Sequence, residues 1–319
     1  MRSLHDQHRP GTDSVGSAVA ALSRRTYVRG ALYALAAVSI WAAWIVVARL
    51  GITTSLSPWD IAALRFGVAG LLLLPVLPRR GLALDRVGWG GLTALAVGGG
   101  APMVLLANAG LLFAPAAHAG ALFPGVMPVM VALLAAAILH ERFSRTRTLG
   151  LLLIVTGVLV IVGGAGATLG TWQNMGHLLF LGSALLWAIY TVAMRRARLD
   201  GLHAAGIAAV SSMIVYVPLF VVFGHGRLLD APWRDAALQG FVQGVLTAVI
   251  SLVLYGRAVS ILGASSAASF GALCPAMTAL MAIPVMGEVP APHDWIGIVL
   301  ISLGVYVVND GPLPMWIKR

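Results

Sequence analysis

An all-α polytopic membrane protein is predicted here: ten transmembrane helices arranged as two inverted five-helix repeats. Three observations predict it. The chain of 319 residues is 59% hydrophobic and only 10% charged, whereas a soluble domain carries about 25% charged residues, so a water-facing surface could not be covered. Apolar runs of about 20 residues, enough to cross a hydrocarbon core of roughly 30 Å, recur from Gly30 to the C-terminal end. The chain also matches itself at one fixed shift. Runs this long and uniformly apolar do not suit the alternating strands of a barrel, and a bilayer otherwise demands helices, whose backbone groups are paired within the segment.

Residues 1–29 are polar and small, with Pro10, and read as a disordered cytoplasmic tail rather than a cleavable signal, because the run after Arg29 is too long for a signal core. The first repeat covers 30–165, with spans at 30–50, 57–78, 88–112, 117–139 and 147–165. The second covers 176–309, with spans at 176–195, 202–224, 237–257, 264–286 and 293–309; residues 310–319 form a C-terminal tail. The glycine-rich "GGAGATLG" of 163–170 lacks the spacing of a phosphate loop and reads as the linker between the repeats.

Charge sets the orientation. The net charge of +10 would suit a nucleic-acid partner if the basic residues formed a domain, but they punctuate loops. Of 21 lysines and arginines, seventeen fall on one set of alternate loops and tails and two, Arg227 and Arg234, on the other; Arg49 and Arg65 lie within spans. The positive-inside rule then places both termini in the cytoplasm and requires an even number of spans. Arg142, Arg145 and Arg147 mark the cytoplasmic exit of the fourth span, where the negative end of the helix dipole also favours them.

The self-match is at a shift of 147. "AHAGALFPGVMPVMVALLAAAILHE" (117–141) lies over "ASSAASFGALCPAMTALMAIPVMGE" (264–288), so that Phe123 meets Phe270, Pro128 meets Pro275 and Glu141 meets Glu288. Gly150 and Gly157 meet Gly297 and Gly304 at the same shift, and with a one-residue adjustment Trp41 and Trp44 fall on Trp187 and Tyr190. Five spans per repeat is an odd number, so the second half is inserted upside down, an architecture of secondary transporters.

Together, "WAAW" in the first span, "ALRFGVAGLLLLP" in the second, "FPGVMPVMVALLAAAILHER" in the fourth and "LCPAMTALMAIPVMGE" in the ninth make the sequence resemble the EamA-type members of the drug/metabolite transporter superfamily. The resemblance covers roughly residues 30–309, departing at "GEVPAPHDW". It implies a five-plus-five inverted fold with a central cavity lined by spans one to four and six to nine, and spans five and ten to one side. It implies substrates among amino acids, other small metabolites, nucleotide-linked compounds and drugs, without naming one.

Several residues are candidates for that cavity. Trp41 with Trp44, and Trp187 with Tyr190, are three apart and share helix faces that could wall an aromatic-lined pocket, or simply pack. Arg65 costs about 2.5 kcal/mol or more inside a span unless paired or wet, so it either reads an anionic solute or is a structural arginine near the outer surface, snorkelling or paired with Asp60. Asn108, His118, Gln239, Gln243, Ser269 and Thr278 are polar side chains that should face the bundle, bonding between helices or contacting solute; Asn108, His118, Gln243 and Ser269 are the candidates for solute contact, and His118 either sits deep enough to exchange a proton near neutral pH or lies in the outer loop mouth. Pro128 and Pro275, with Pro124, should kink their helices. Glu141 and Glu288 are expected to be structural, closing helix ends or pairing with arginine. The paired glycines of spans five and ten suit close helix approach, and a homodimer through those two helices is a candidate assembly.

The expected function is secondary transport of small organic solutes across the inner membrane, most plausibly export of amino acids or related metabolites, with a small-molecule solute and the bilayer as partners and no nucleic acid, cofactor or metal. An exchanger of phosphorylated or nucleotide-linked metabolites would call for more cavity cations than Arg65. An integral-membrane enzyme would need clustered acids, histidines or cysteines at one depth; the single cysteine, Cys274, and a lone "HER" supply none.

Overall fold

The computed structural model describes residues 24–164, 172–223 and 226–309, and among these the chain is helical, without a strand. Most of both expected tails and of the glycine-rich linker lie outside the described residues. The helices are α1 (Arg24–Thr54), α2 (Pro58–Leu73), α3 (Leu84–Gly110), α4 (Ala116–Leu139), α5 (Arg145–Gly164), α6 (Trp172–Arg196), α7 (Gly201–Phe223), α8 (Trp233–Leu262), α9 (Ala264–Met286) and α10 (Pro292–Val308). Eight are long and apolar enough to cross a membrane, the exceptions being α2 and α10. A turn and the short helix Val76–Arg80 follow α2. Helix α1 begins at Arg24, six residues before the expected start at Gly30, because "RRTYVRG" contains no breaker.

Small residues let the helices approach. Ala34, Ala37, Ala42 and Ala48 of α1 are fully buried, and α1 packs on α8 and α9, α2 on α7 and α8, α3 on α6, and α4 on α6 and α9. Between hydrocarbon and a hydrocarbon-like interior there is little hydrophobic drive, so close van der Waals contact does the work. The α5–α10 pair is the clearest case. A Cβ built on Gly150 would lie 2.8 Å from the Gly304 carbonyl oxygen, and one on Gly157 2.7 Å from that of Gly297. The two helices therefore run antiparallel with backbones in contact. These glycine faces are occupied by each other within one chain, so a homodimer through α5 and α10 would have to use their outward faces, which carry exposed Leu152, Leu159 and Leu303.

Four of the helices depart from α geometry. Helix α3 breaks between Gly98 and Ala101, and α8 is a π-helix over Gly240–Ile250. Helix α4 opens into a turn at Phe123–Val126, and α9 tightens to a 3-10 turn at Phe270–Leu273. Both kink prolines expected from the sequence, Pro128 and Pro275, sit in the first turn of the helix that resumes after the irregular stretch, where a missing N–H costs nothing. The π stretch has no such marker.

Helices α4 and α9 both end in a left-handed residue, His140 (φ 56°) and Gly287 (φ 68°), which turns the next residue, a glutamate, back across the helix end. Glu288 Oε1 takes a 2.8 Å bond from Arg49 Nε of α1, and its Oε2 accepts from Ala116 N at 2.8 Å. Arg49 also donates to the Leu111 carbonyl. Glu141 pairs with Arg195 of α6 and, at 3.4 Å, with Arg147 of α5. Since Glu288 touches the first residue of α4 and Glu141 follows its last, the two carboxylates lie at opposite ends of the bundle. Arg79, Arg80, Arg86, Arg142, Arg145, Arg147, Arg195, Arg196 and Arg198 all flank helix ends on the Glu141 side, called the arginine-rich end below.

Candidate functional site

The described helices enclose a cavity of about 290 Å³. Helices α1 to α4 and α6 to α9 all contribute: Trp41, Trp44 and Ile45; Arg65, Phe66, Ala69 and Leu73; Gly99; Phe123, Pro124, Met127 and Pro128; Trp187; Ala205 and Ala209; Thr247, Ala248, Ser251 and Leu252; Ala268, Gly271 and Cys274. Helix α10 adds Val305 and Asn309, a contribution the sequence did not lead us to expect. Leu73, Ala205, Ala268 and Asn309 lie at the arginine-rich ends of their helices, so the cavity extends toward that end.

Four irregular helix segments face this cavity, while a further kink of α3, at Gly88 (φ 61°), lies outside its lining. Gly99 lies in the α3 break, Phe123 and Pro124 in the α4 turn, Thr247 and Ala248 in the π stretch, and Gly271 in the 3-10 turn. A Cβ on Gly99 would fall 2.6 Å from the Tyr190 ring, so the close approach of α3 to α6 depends on glycine there. In the π stretch the Thr247 hydroxyl donates to the Val242 carbonyl five residues back, at 2.7 Å, one residue further than the Ser251 hydroxyl reaches, to the Thr247 carbonyl, where the α-helix resumes.

Arg65 is the one charged residue in the lining, and 8% exposed. Its guanidinium carbon sits 4.6 Å from the Trp44 ring centroid, a cation–π placement. Of the five donors that a guanidinium carries, Nη1 makes a long 3.3 Å bond to Gln243 Oε1. Gln243 in turn donates to Gln239 Oε1 at 3.1 Å, and Gln239 to the Val47 carbonyl at 2.6 Å, so the two glutamines of α8 orient the arginine from behind. Asp60 is not its partner. That carboxylate caps α2 through Ser57 and accepts from Arg227 N at 3.0 Å. Among the described residues no carboxylate lies within ion-pair distance of Arg65.

The aromatic walls are braced. Trp41 Nε1 donates to Ser251 Oγ at 3.0 Å, and its ring lies 5.2 Å from that of Tyr255. Trp44 meets Phe123 edge-on, with centroids 5.6 Å apart. Trp187 packs 5.0 Å from Tyr190.

Trp41, Trp44, Arg65, Trp187 and Pro128 are thus brought together, whereas Asn108, His118, Tyr190, Gln243, Ser269 and Pro275 lie outside the lining. The reasons are local. Tyr190 is buried against Gly98 and Gly99 behind Trp187. Asn108 donates to the Pro58 carbonyl at 3.4 Å and borders a hollow of about 10 Å³ behind Trp44 and Phe123. Ser269 bonds to Ser265 and Asn309 carbonyls. Thr278 bonds to the Cys274 carbonyl and packs on Gly120. His118 joins His177 and Asp294 away from the cavity. The lining is mostly apolar, because most of these polar side chains bond within and between helices, while Asn108 Oδ1 is buried without a partner among the described residues.

Phe123, Met127, Ser251 and Asn309 are lining residues that sequence reasoning missed. Phe123 alone carried a signal, through its match with Phe270. Arg49 was placed within a span but without its partner Glu288.

Comparison with known proteins follows the same outline. The model of the EamA-like transporter family matches residues 28–163 and 174–310, one segment in each half of the chain. The chain is 31% identical over 219 residues to a probable terminal-alkyne amino-acid exporter of Streptantibioticus cattleyicolor, covering 67% of this chain and 70% of that protein. It is 28% identical over 264 residues to the uncharacterized transporter YyaM of Bacillus subtilis, covering 79% and 85%. A solved crystal structure with 20% identity superposes at a TM-score of 0.55 over 87% of this chain and 95% of its own, a likeness of fold alone. With membrane-length apolar helices around an aromatic-walled cavity, and a family match in both halves, the chain belongs to the EamA-like transporter family.

Proposed function

We propose that this family member is a secondary active exporter of amino acids or closely related metabolites, working by alternating access across the plasma membrane with both termini in the cytoplasm. The observation that carries the reading is Arg65: a buried guanidinium facing an aromatic-walled cavity, with no carboxylate paired to it among the described residues. A buried cation without a counter-ion is costly, and a solute carboxylate supplies the missing partner in the bidentate geometry that arginine favours. Trp41, Trp44, Trp187 and Phe123 then offer apolar faces to the rest of the solute. The likeness to a probable amino-acid exporter points the same way.

In this reading α2 and α10 also cross the bilayer, giving ten spans in two inverted repeats. Reciprocal pairing supports it. Under the 147-residue shift Gly150 and Gly157 become Gly297 and Gly304, and the contacts are Gly150 with Gly304 and Gly157 with Gly297, as a two-fold axis between α5 and α10 would produce. Arg49–Glu288 and Arg195–Glu141 are likewise two-fold mates. The mates differ in exposure: side chains of the first are 18% exposed, those of the second 42% and 27%. The end held by Arg49–Glu288 is closed and the arginine-rich end looser, which suits a form facing the cytoplasm, one of two that the repeats exchange.

The test is thermal stabilisation and proteoliposome counterflow of the purified protein over a panel of amino acids and their decarboxylated amines. Bulky apolar amino acids should raise the melting midpoint and exchange, while the amines should do neither. Trp41→Ala and Trp187→Ala should reorder preference within the panel, since apolar contacts discriminate by only about 1–3 kcal/mol per methylene. Equal response to amines and acids would sink the carboxylate reading.

A further inference from the structure

At the Arg49–Glu288 end, away from the cavity, lies a buried chain of titratable groups. His118, near the start of α4, is 3% exposed and His177, near the start of α6, 2%. His118 Nε2 lies 2.9 Å from Asp294 Oδ1 in the first turn of α10, and His118 Nδ1 lies 2.9 Å from His177 Nε2. Gln173 Nε2 approaches the same Nδ1 at 3.1 Å. Asp294 Oδ2 is held by Ala291 N at 2.9 Å, and His293 Nε2 stands 3.3 Å from Oδ1. His177 Nδ1 is buried with no partner.

The surroundings add little competing charge. Helices α1 and α9 contribute Arg49 and Glu288, bonded to each other and to Ala116, two residues before His118. Helix α5 contributes Gly164 against the His293 ring, and α6 adds the neutral amide of Gln173. The tautomers follow from the partners. Asp294 accepts, so His118 Nε2 carries a hydrogen; the one lone pair of His118 Nδ1 then accepts from His177 Nε2–H, with the Gln173 amide N–H sharing it and free to turn its oxygen inward once Nδ1 is protonated, and His177 Nδ1 is left with a bare lone pair.

We propose that Asp294, His118 and His177 form a proton-binding relay that clamps α4, α6 and α10 together, so that opening of this end of the protein is linked to loss of a proton. A proton from water binds His177 Nδ1, and His177 Nε2 passes its own proton to His118 Nδ1. The product is a His118 imidazolium, with hydrogens on both nitrogens, against the Asp294 carboxylate. His177 is again neutral, now protonated at Nδ1 and accepting through Nε2. One proton has been taken up, and a cluster of charge −1 has become neutral. A second is resisted, because two imidazolium nitrogens would stand 2.9 Å apart. The His118–Asp294 ion pair exists only while α4 and α10 are together, so protonation stabilises the closed end, and that stabilisation is lost as pH rises.

The melting midpoint of the full-length, detergent-purified protein should therefore fall as pH rises, with a slope of one proton. No solute is needed, and failure here leaves the transport reading standing. His118→Gln and His177→Gln should flatten the slope, while His203→Gln, whose ring bonds to the Gly81 carbonyl at the arginine-rich end, should leave it intact. If either glutamine variant does not fold, Asp294→Asn decides, since it too should flatten the slope. Spin labels at positions 178 and 296, both lipid-facing, in a Cys274→Ser background should move apart as pH rises, and should stop doing so with His118→Gln. A one-proton slope that survives His118→Gln or Asp294→Asn, one that disappears with His203→Gln, or a label distance indifferent to pH overturns the proposal.

Discussion

Replacing Arg65 by methionine separates a transport role from a structural one, because the two make opposite demands on stability. In the folded protein the guanidinium gains a cation–π contact with Trp44 at 4.6 Å, worth about 2 kcal/mol when desolvated. It also gains one charge-assisted bond, to Gln243 at 3.3 Å, worth about 1.5 kcal/mol at that length. Against these stands the burial of a cation with no carboxylate partner, a penalty of several kcal/mol per ion. The terms offset, and methionine fills similar volume, so Arg65→Met should leave folding stability within about 1.5 kcal/mol of the parent. Transport should not survive it. Two charge-assisted bonds to a carboxylate, at about 1.5 kcal/mol or more each, put the loss at about a hundredfold or more in counterflow at equal protein level, with 1.4 kcal/mol per decade. Arg65→Lys keeps the charge but not the fork, and should cost roughly tenfold to a hundredfold. The reasoning is refuted if Arg65→Met transports normally, or if it unfolds the protein while a bound carboxylate restores nothing.

Two further outcomes test the architecture. In a Cys274→Ser background, cysteines at 141 and 288 should be modified by a membrane-impermeant reagent from opposite faces of right-side-out vesicles, since their parent carboxylates sit at opposite ends of α4; labelling from one face would dismiss the inverted repeat. Gly157→Val should lower stability by about 1–3 kcal/mol, measured as a fall in melting midpoint, because even a Cβ there lies 2.7 Å from the Gly297 carbonyl, whereas Gly163→Val, with nothing within 4 Å, should be silent.

The helical membrane class of the molecule, the rough ends of its apolar helices, the charge asymmetry between loops and the internal match were legible in the sequence alone. These are local or one-dimensional quantities: twenty apolar residues are needed to cross a bilayer whatever they pack against, and charge is costly inside it wherever the helix sits. The glycines of α5 and α10 were legible for the same reason, since seven-residue spacing fixes a face. Which face each remaining helix turns inward was not legible, because lipid and protein interior are almost equally apolar and an unbroken run such as "MPVMVALLAAAIL" carries no stripe to read. Trp41, Trp44, Arg65 and Trp187 could be chosen as large or charged groups within spans; that Tyr190, Asn108, Gln243 and Ser269 stop short of the cavity depended on helix rotation and on neighbours distant in sequence, Arg65 for Gln243 and Gly98 and Gly99 for Tyr190. The π stretch of α8 depends on the helices packed around it, and the meeting of His118 with His177 and Asp294 on the crossing of α4, α6 and α10. Only tertiary structure could decide them, because each is a relation between segments whose individual sequences are compatible with many rotations and only one mutual fit.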